Sequence, residues 1–157
     1  VAGQGGAAGR PTLRRTVRRG RRVLVARWDI LLVVALGGAL GSVARYGISR
    51  AWLAADGTFP AATFLENVSG SLLLGILMVF VLDVWPPSRY VRPFLAVGVL
   101  GGYTTFSTYM LDTRSLLAAG HAPLAAAYLF GTLAAGLLAV WVGIALGRAV
   151  THRKETS

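Results

Sequence analysis

From residue 30 onward the chain alternates long apolar runs with short polar connectors. The runs at 30–52, 61–82, 93–119 and 122–147 each reach the roughly 20 residues that a helix needs to cross a hydrocarbon core. The pattern predicts four transmembrane helices. Pro60, the pair Pro86 and Pro87, and Pro123 punctuate the boundaries, as prolines do at helix starts and connectors. Short connections predict that consecutive helices are antiparallel neighbours.

The third run interrupts itself. "VLGGYTTFSTYMLDT", residues 99–113, places Gly101 and Gly102 before four hydroxyl residues, Thr104, Thr105, Ser107 and Thr108, among three aromatic rings. Paired glycines followed by threonines predict a helix broken near its middle, whose freed carbonyls can hold a cation while hydroxyls face a cavity. The plainer account makes Phe106 and Tyr109 core aromatics and lets the hydroxyls bond back to their own helix. Periodicity alone leaves both open.

Polar residues inside spans are costly, about 2.5 to 3.5 kcal/mol for a charge at mid-helix on insertion scales, so each needs a reason. In the first span "GGALGSVARYG" puts Gly37 and Gly41 in small-xxx-small spacing, extended by Ala44, a face that another helix can approach closely. Arg45 near the far end of that span either snorkels to the interface or lines an anion-attracting vestibule. In the second span Thr63, Asn67 and Ser71 recur at i, i+4 and i+8 and form one polar stripe. Such a stripe faces water or a neighbouring helix. Glu66, one step round from Asn67, is harder to assign to structure alone. In the fourth span Tyr128 and Thr132, also i and i+4, form a second polar rail on an otherwise small-residue surface.

Composition fits a membrane protein: 55% hydrophobic and 14% charged over 157 residues, with mean hydropathy +0.62. One domain fits. With no cysteine and two separated histidines, His121 and His152, thiolate chemistry is excluded and a metalloenzyme has almost no ligands to use. No nucleophile elbow, phosphate loop or paired carboxylate is present, so no enzyme activity is expected. Residues 1–28 are Gly-rich, then Arg-rich, and are expected to be a disordered cytoplasmic arm, with anionic-lipid contact as a functional alternative favoured over nucleic-acid binding. The first apolar run exceeds a signal-peptide core and is expected to be a retained anchor. The organisation expected is therefore an arm at 1–28, a helical membrane domain at 29–150 and a cytoplasmic tail at 151–157.

Charge sets orientation. With both termini inside, the cytoplasmic side carries Arg10, Arg14, Arg15, Arg18, Arg19, Arg21, Arg22, Arg27, Arg89, Arg92, Arg148, Arg153 and Lys154, and the opposite side only Arg50 and Arg114. Thirteen against two predicts a single fixed orientation, amino and carboxyl termini cytoplasmic.

Taken in order, "GGALGSVARYG", "FPAATFLENVSGSLLLG", "GGYTTFSTYMLD" and the small-residue-rich last helix resemble the motifs of the Fluc (CrcB-type) fluoride channel family of bacterial cell membranes. The likeness covers residues 36 to about 145, and the third motif is the most specific. It implies an all-α antiparallel dimer with two narrow fluoride pores and a structural sodium ion at the dimer centre. By the resemblance, Gly101 and Thr104 would bind sodium through backbone carbonyls. Asn67, Phe106, Tyr109, Ser107, Thr63, Tyr128 and Thr132 would line the fluoride path, and Arg45 would be the vestibule arginine.

Several positions depart from the family pattern. Tyr109 stands for a second phenylalanine, Ala62 for a glycine and Asp112 for a glutamate. Glu66 beside Asn67 would repel fluoride if it faced the pore ionised, so it is expected to point away, to be protonated or to pair with an arginine. The fixed orientation implies pairing with an oppositely oriented homologous subunit, since dual-topology homodimers need nearly balanced charges. Two further readings remain: a small proton-coupled multidrug-type exporter using Glu66, and a non-conducting partner subunit.

Overall fold

The computed structural model describes residues 27–52 and 57–152, with the side chain of His152 left aside. The basic arm up to Arg22 and the tail after His152 lie outside the described residues, as do their charges. Among the described residues every regular element is a helix, and four segments are long and apolar enough to cross a membrane: Trp28–Ala51, Ala61–Val84, Pro93–Ala118 and Ala122–Thr151. Helix α1 is Trp28–Ala51. Helix α2, Ala61–Val79, continues through the π-helical stretch Phe80–Val84, and α3 is the π-helical Pro93–Leu100 together with the turn Gly101–Tyr103. After a two-residue gap come α4, Phe106–Ala118, and α5, Ala122–His152.

The prolines act where their missing N–H costs least. Pro60 caps α2, Pro93 opens α3 and Pro123 sits in the first turn of α5. Gly120, at φ +81°, reverses the chain between α4 and α5 in the left-handed region that glycine tolerates. Helix α5 outruns the expected 147 by about one turn, because nothing from Gly147 to Thr151 breaks it and Gly147 is occupied in packing on Val79.

Glycines decide which helices pair. In a bilayer apolar surface alone gives helices little reason to associate, so close backbone approach carries the specificity. Helix α1 packs chiefly on α3 and α2 chiefly on α5, while α1 and α2, neighbours in sequence, touch only lightly. Consecutive helices touch, but the heaviest packing skips a neighbour in sequence. The cause lies in matched glycines: a methyl on Gly98 would lie 2.9 Å from the Gly37 Cα, one on Gly102 would lie 3.0 Å from the Gly38 Cα, and one on Gly143 would lie 3.1 Å from the Gly75 Cα. Gly37 and Gly41 thus meet the second half of α3, and Gly75 meets α5.

At the α1 start a polar clasp fixes the connector between the second and third spans. Arg89 pairs with Asp29 at 2.9 Å, and the Tyr90 hydroxyl donates to the same carboxylate at 2.7 Å. That bond holds the Tyr90 hydroxyl above its ordinary pKa. Elsewhere the chain buries little of itself, between 11 and 17% of each span. Most span surface is left for lipid or another subunit.

A methyl at Gly98 must displace backbone rather than a flexible side chain. Gly98→Ala is expected to cost about 1–3 kcal/mol, read as a lower unfolding midpoint in detergent. Gly47→Ala, where nothing lies within 4 Å, is expected to leave the midpoint unchanged or raise it.

Candidate functional site

The third span loses its helical course at Thr104 (φ −84°, ψ 155°) and Thr105 (φ −146°, ψ 121°). Within a bilayer every backbone polar group so released needs a partner from the protein. Asn67 of α2 supplies two of them. Its Oδ1 accepts from the Thr105 N–H at 2.9 Å, and its Nδ2 donates to the Thr105 carbonyl at 3.1 Å. The Thr105 side chain then caps α4, accepting from the Thr108 N–H at 3.2 Å and donating to the Thr108 hydroxyl at 3.1 Å. Its oxygen lies 3.3 Å from Ser107 Oγ. The Thr104 N–H and hydroxyl both return to the Leu100 carbonyl, at 3.0 and 2.9 Å.

These bonds redirect the donors that a continuous helix would give to its own carbonyls. The Thr105 N–H that would reach Gly101 goes to Asn67, and the Thr108 N–H that would reach Thr104 goes to the Thr105 hydroxyl. The carbonyls of Gly101 and Thr104 lose those partners. The Gly102 carbonyl receives Arg45 Nε at 3.2 Å.

Beside the break lies a groove of about 330 Å³, open on one side. Asn67, Ser71, Thr104, Thr105 and Thr132 give it polar atoms, Phe106 and Tyr109 give it rings, and aliphatic residues of α5 form its far wall. The amino end of α4 opens here, so the positive end of its dipole faces the groove. Phe106 is 74% exposed and meets Tyr109 edge-on with ring centroids 5.9 Å apart. Tyr109 is buried, and its hydroxyl donates to the Leu129 carbonyl of α5, which fixes the ring. Thr132 Oγ1 is buried without a hydrogen-bond partner among the described residues. An orphaned hydroxyl of this kind costs about 1–3 kcal/mol.

The site residues expected from the sequence separate into groups. Asn67, Thr104, Phe106, Tyr109 and Thr132 share the groove. Ser107 is held at its edge by the Thr105 hydroxyl. Thr63 and Tyr128 sit behind it: the Tyr128 hydroxyl donates to Asp112 at 3.2 Å and is also hydrogen-bonded to Thr63. The Tyr128 ring meets Tyr109 edge-on at 5.3 Å and Phe59 at 5.5 Å. Gly101 lies on the α3 side of the break and Arg45 reaches that side from α1. Glu66 is not among the groove residues; it is buried and accepts from the Ser49 hydroxyl of α1 at 2.8 Å. Two roles are not expected from the sequence, the Thr105 cap on α4 and the Ser49 bond to Glu66. Thr105 was readable as a cap, three residues before the N–H it binds, whereas Ser49 carries no local signal at all.

Fold and groove define a small multi-pass membrane protein with a polar site at an interrupted helix. The chain belongs to the CrcB-like protein family: residues 32–144 match the family described as CrcB-like protein, Camphor Resistance (CrcB). Among similar proteins, Fluoride-specific ion channel FluC 3 of Streptomyces avermitilis is 53% identical over 128 residues, 82% of this chain and 63% of that protein. The chain therefore spans less than two thirds of that relative's length. Fluoride-specific ion channel FluC 1 of Streptomyces coelicolor is 46% identical over 127 residues, covering 81% of this chain and 82% of that protein. Fluoride-specific ion channel FluC of Nitrobacter winogradskyi is 45% identical over 128 residues, covering 79% and 99%.

If Asn67 holds the break, replacing it with a side chain that cannot hydrogen-bond exposes both Thr105 groups. Asn67→Leu is expected to speed hydrogen exchange at the Thr105 amide at least about tenfold, with little change in α1.

Proposed function

We propose that the chain is a subunit of a fluoride channel that lets fluoride leave the bacterial cell passively and so lowers cytoplasmic fluoride. The names of its relatives agree with that reading, and one observation carries it: Asn67, the amino end of α4, Phe106, Tyr109 and Thr132 converge on a single groove. A bare halide loses strong hydration in a narrow path and needs donors in place of water. Asn67 spends one amide hydrogen on Thr105 and keeps the other. Thr132 offers an unengaged hydroxyl, and Phe106 and Tyr109 offer ring edges, which are the positive part of an aromatic quadrupole. Ser107 stands at the rim, where its hydroxyl, now donated to the Thr105 oxygen, would have to turn to reach an anion. Thr63 and Tyr128 continue the path towards the far side, with Arg45 as the vestibule cation.

The groove is open and Phe106 is largely uncovered, so a single chain does not enclose a path. A second, antiparallel subunit would close it. The carbonyls of Gly101 and Thr104, stripped of their helical donors, are neutral oxygen ligands suited to sodium, and together with their counterparts on the second subunit they would hold one ion at the dimer centre. Such an ion would balance the dipoles of the carbonyls that lose these helical donors at the break. The excess of basic residues on one side favours both termini in the cytoplasm, and the partner is then an oppositely oriented homologue. A proton-coupled exporter would need Glu66 in the transport path, whereas Glu66 faces Ser49 of α1.

In liposomes read with a fluoride electrode, this chain with an oppositely oriented homologue is expected to release fluoride, and this chain alone is not. Phe106→Ile in this subunit is expected to slow that release at least about tenfold, consistent with the loss of a positive ring edge; unchanged release would instead make this a non-conducting partner. Since the sequence has no cysteine, single cysteines at Ser88 and Ala119 report orientation. Ser88→Cys is expected to react with membrane-impermeant maleimide only in inverted vesicles, and Ala119→Cys only in intact cells.

A further inference from the structure

Glu66 is a buried carboxylate, 1% exposed, that the proposed path does not use. Its nearest bond is to a neutral hydroxyl, Ser49 Oγ at 2.8 Å. One hydroxyl cannot compensate an ionised carboxylate held out of water. The charged groups acting on it come from two elements: Arg45 from α1 and Asp112 from α4, the latter engaged by the Tyr128 hydroxyl. Arg45 precedes Ser49 by four residues, so the two side chains share a face of α1, and that face meets Glu66. Arg45 does not make a contact ion pair with Glu66. Its Nε is spent on the Gly102 carbonyl at 3.2 Å, which turns the guanidinium towards the break.

We propose that Glu66 is the countercharge of Arg45: a positioning residue that balances the guanidinium through space across the α1–α2 contact and keeps it on the Gly102 carbonyl at the approach to the break. Its consequence for transport rests on the fluoride-channel reading; the charge coupling itself does not. Ser49 holds the carboxylate in place, and Gly102, backed against Gly38, holds the guanidinium. The field that an incoming anion meets is then the small difference between fixed charges. Removing Arg45 leaves Glu66 and Asp112 uncompensated beside the path, which repels anions. Removing the Glu66 charge as well relieves much of that repulsion.

The test compares Arg45→Gln, Glu66→Gln and the double variant, each reconstituted with the oppositely oriented homologue, by fluoride efflux at low and high ionic strength and by unfolding midpoint in detergent. Arg45→Gln is expected to slow efflux about tenfold or more at low salt, and less at high salt. Glu66→Gln alone is expected to stay within about threefold of the unaltered chain, and the double variant to recover most of the Arg45→Gln loss. The midpoint of the double variant is expected to fall less than the sum of the single falls. A purely structural Glu66 would not rescue Arg45→Gln or alter its salt dependence. A double variant as slow as Arg45→Gln, with additive midpoints, overturns the proposal. Coupled midpoints in a chain pair that releases no fluoride would uphold the charge coupling and remove the channel reading; fluoride release without coupling in either readout would do the reverse.

Discussion

Asn67 is the residue on which the rest of the site depends. A helix interrupted inside a bilayer has no water to satisfy the groups it releases, and leaving them bare would cost more than a small membrane domain can readily supply. One side-chain amide presents a donor and an acceptor together, so it can replace a peptide unit, and Asn67 does so for Thr105. Everything local follows from that exchange. Thr105 is free to cap α4, the dipole of α4 opens on the groove, Phe106 and Tyr109 start a new helix at that point, and two carbonyls on the α3 side are released from their usual donors. The amide proposed to donate to an anion is thus also what holds the break open beside the groove.

The break could not be held if the surrounding helices were free to slide. Glycine contacts fix them. Gly37, Gly38 and Gly41 lock α1 to α3 directly before the interruption, and Gly75 with Gly143 locks α2 to α5 along its other side. Two rigid pairs result, α1 with α3 and α2 with α5, and Asn67 bridges them at the break. The rings tie α4 to the α2–α5 pair: Tyr109 anchored on Leu129, then Tyr128, Phe59 and Phe64 meeting edge to face. Small residues set the distance between helices, and aromatic residues set the orientation of what faces inward.

Much of this was readable from residues alone. Four apolar runs gave four spans to within a few residues, because proline and glycine mark where helices must start and stop. The consecutive Gly101 and Gly102 followed by hydroxyl residues pointed to the third span as the special one, since no run of good helix formers needs that chemistry in lipid. Pairing was less legible. The Gly37–Gly41 spacing announces that some helix comes close, but which one depends on Gly98 and Gly102 lying at matching height, a fact of three dimensions. The polar stripe Thr63, Asn67 and Ser71 likewise reads as one face, yet a groove that ends against α4 takes only its latter two members and leaves Thr63 to Tyr128. Local periodicity ranks faces of one helix; it cannot say where a neighbour cuts across them.

The exposure of Phe106 is the clearest sign of what one chain lacks. An aromatic ring 74% uncovered beside an orphaned Thr132 hydroxyl and the amino end of a helix is ordinary neither for lipid, which gains nothing from polar atoms, nor for a finished core, which leaves none unpaired. In the proposed antiparallel dimer this open groove would be half of an enclosure. Both halves would be needed before an anion is stripped of water, because a donor that still faces solvent or lipid gives no preorganised substitute for a hydration shell. The same open face that makes the isolated chain look poorly packed is what would let two subunits share the work of dehydration.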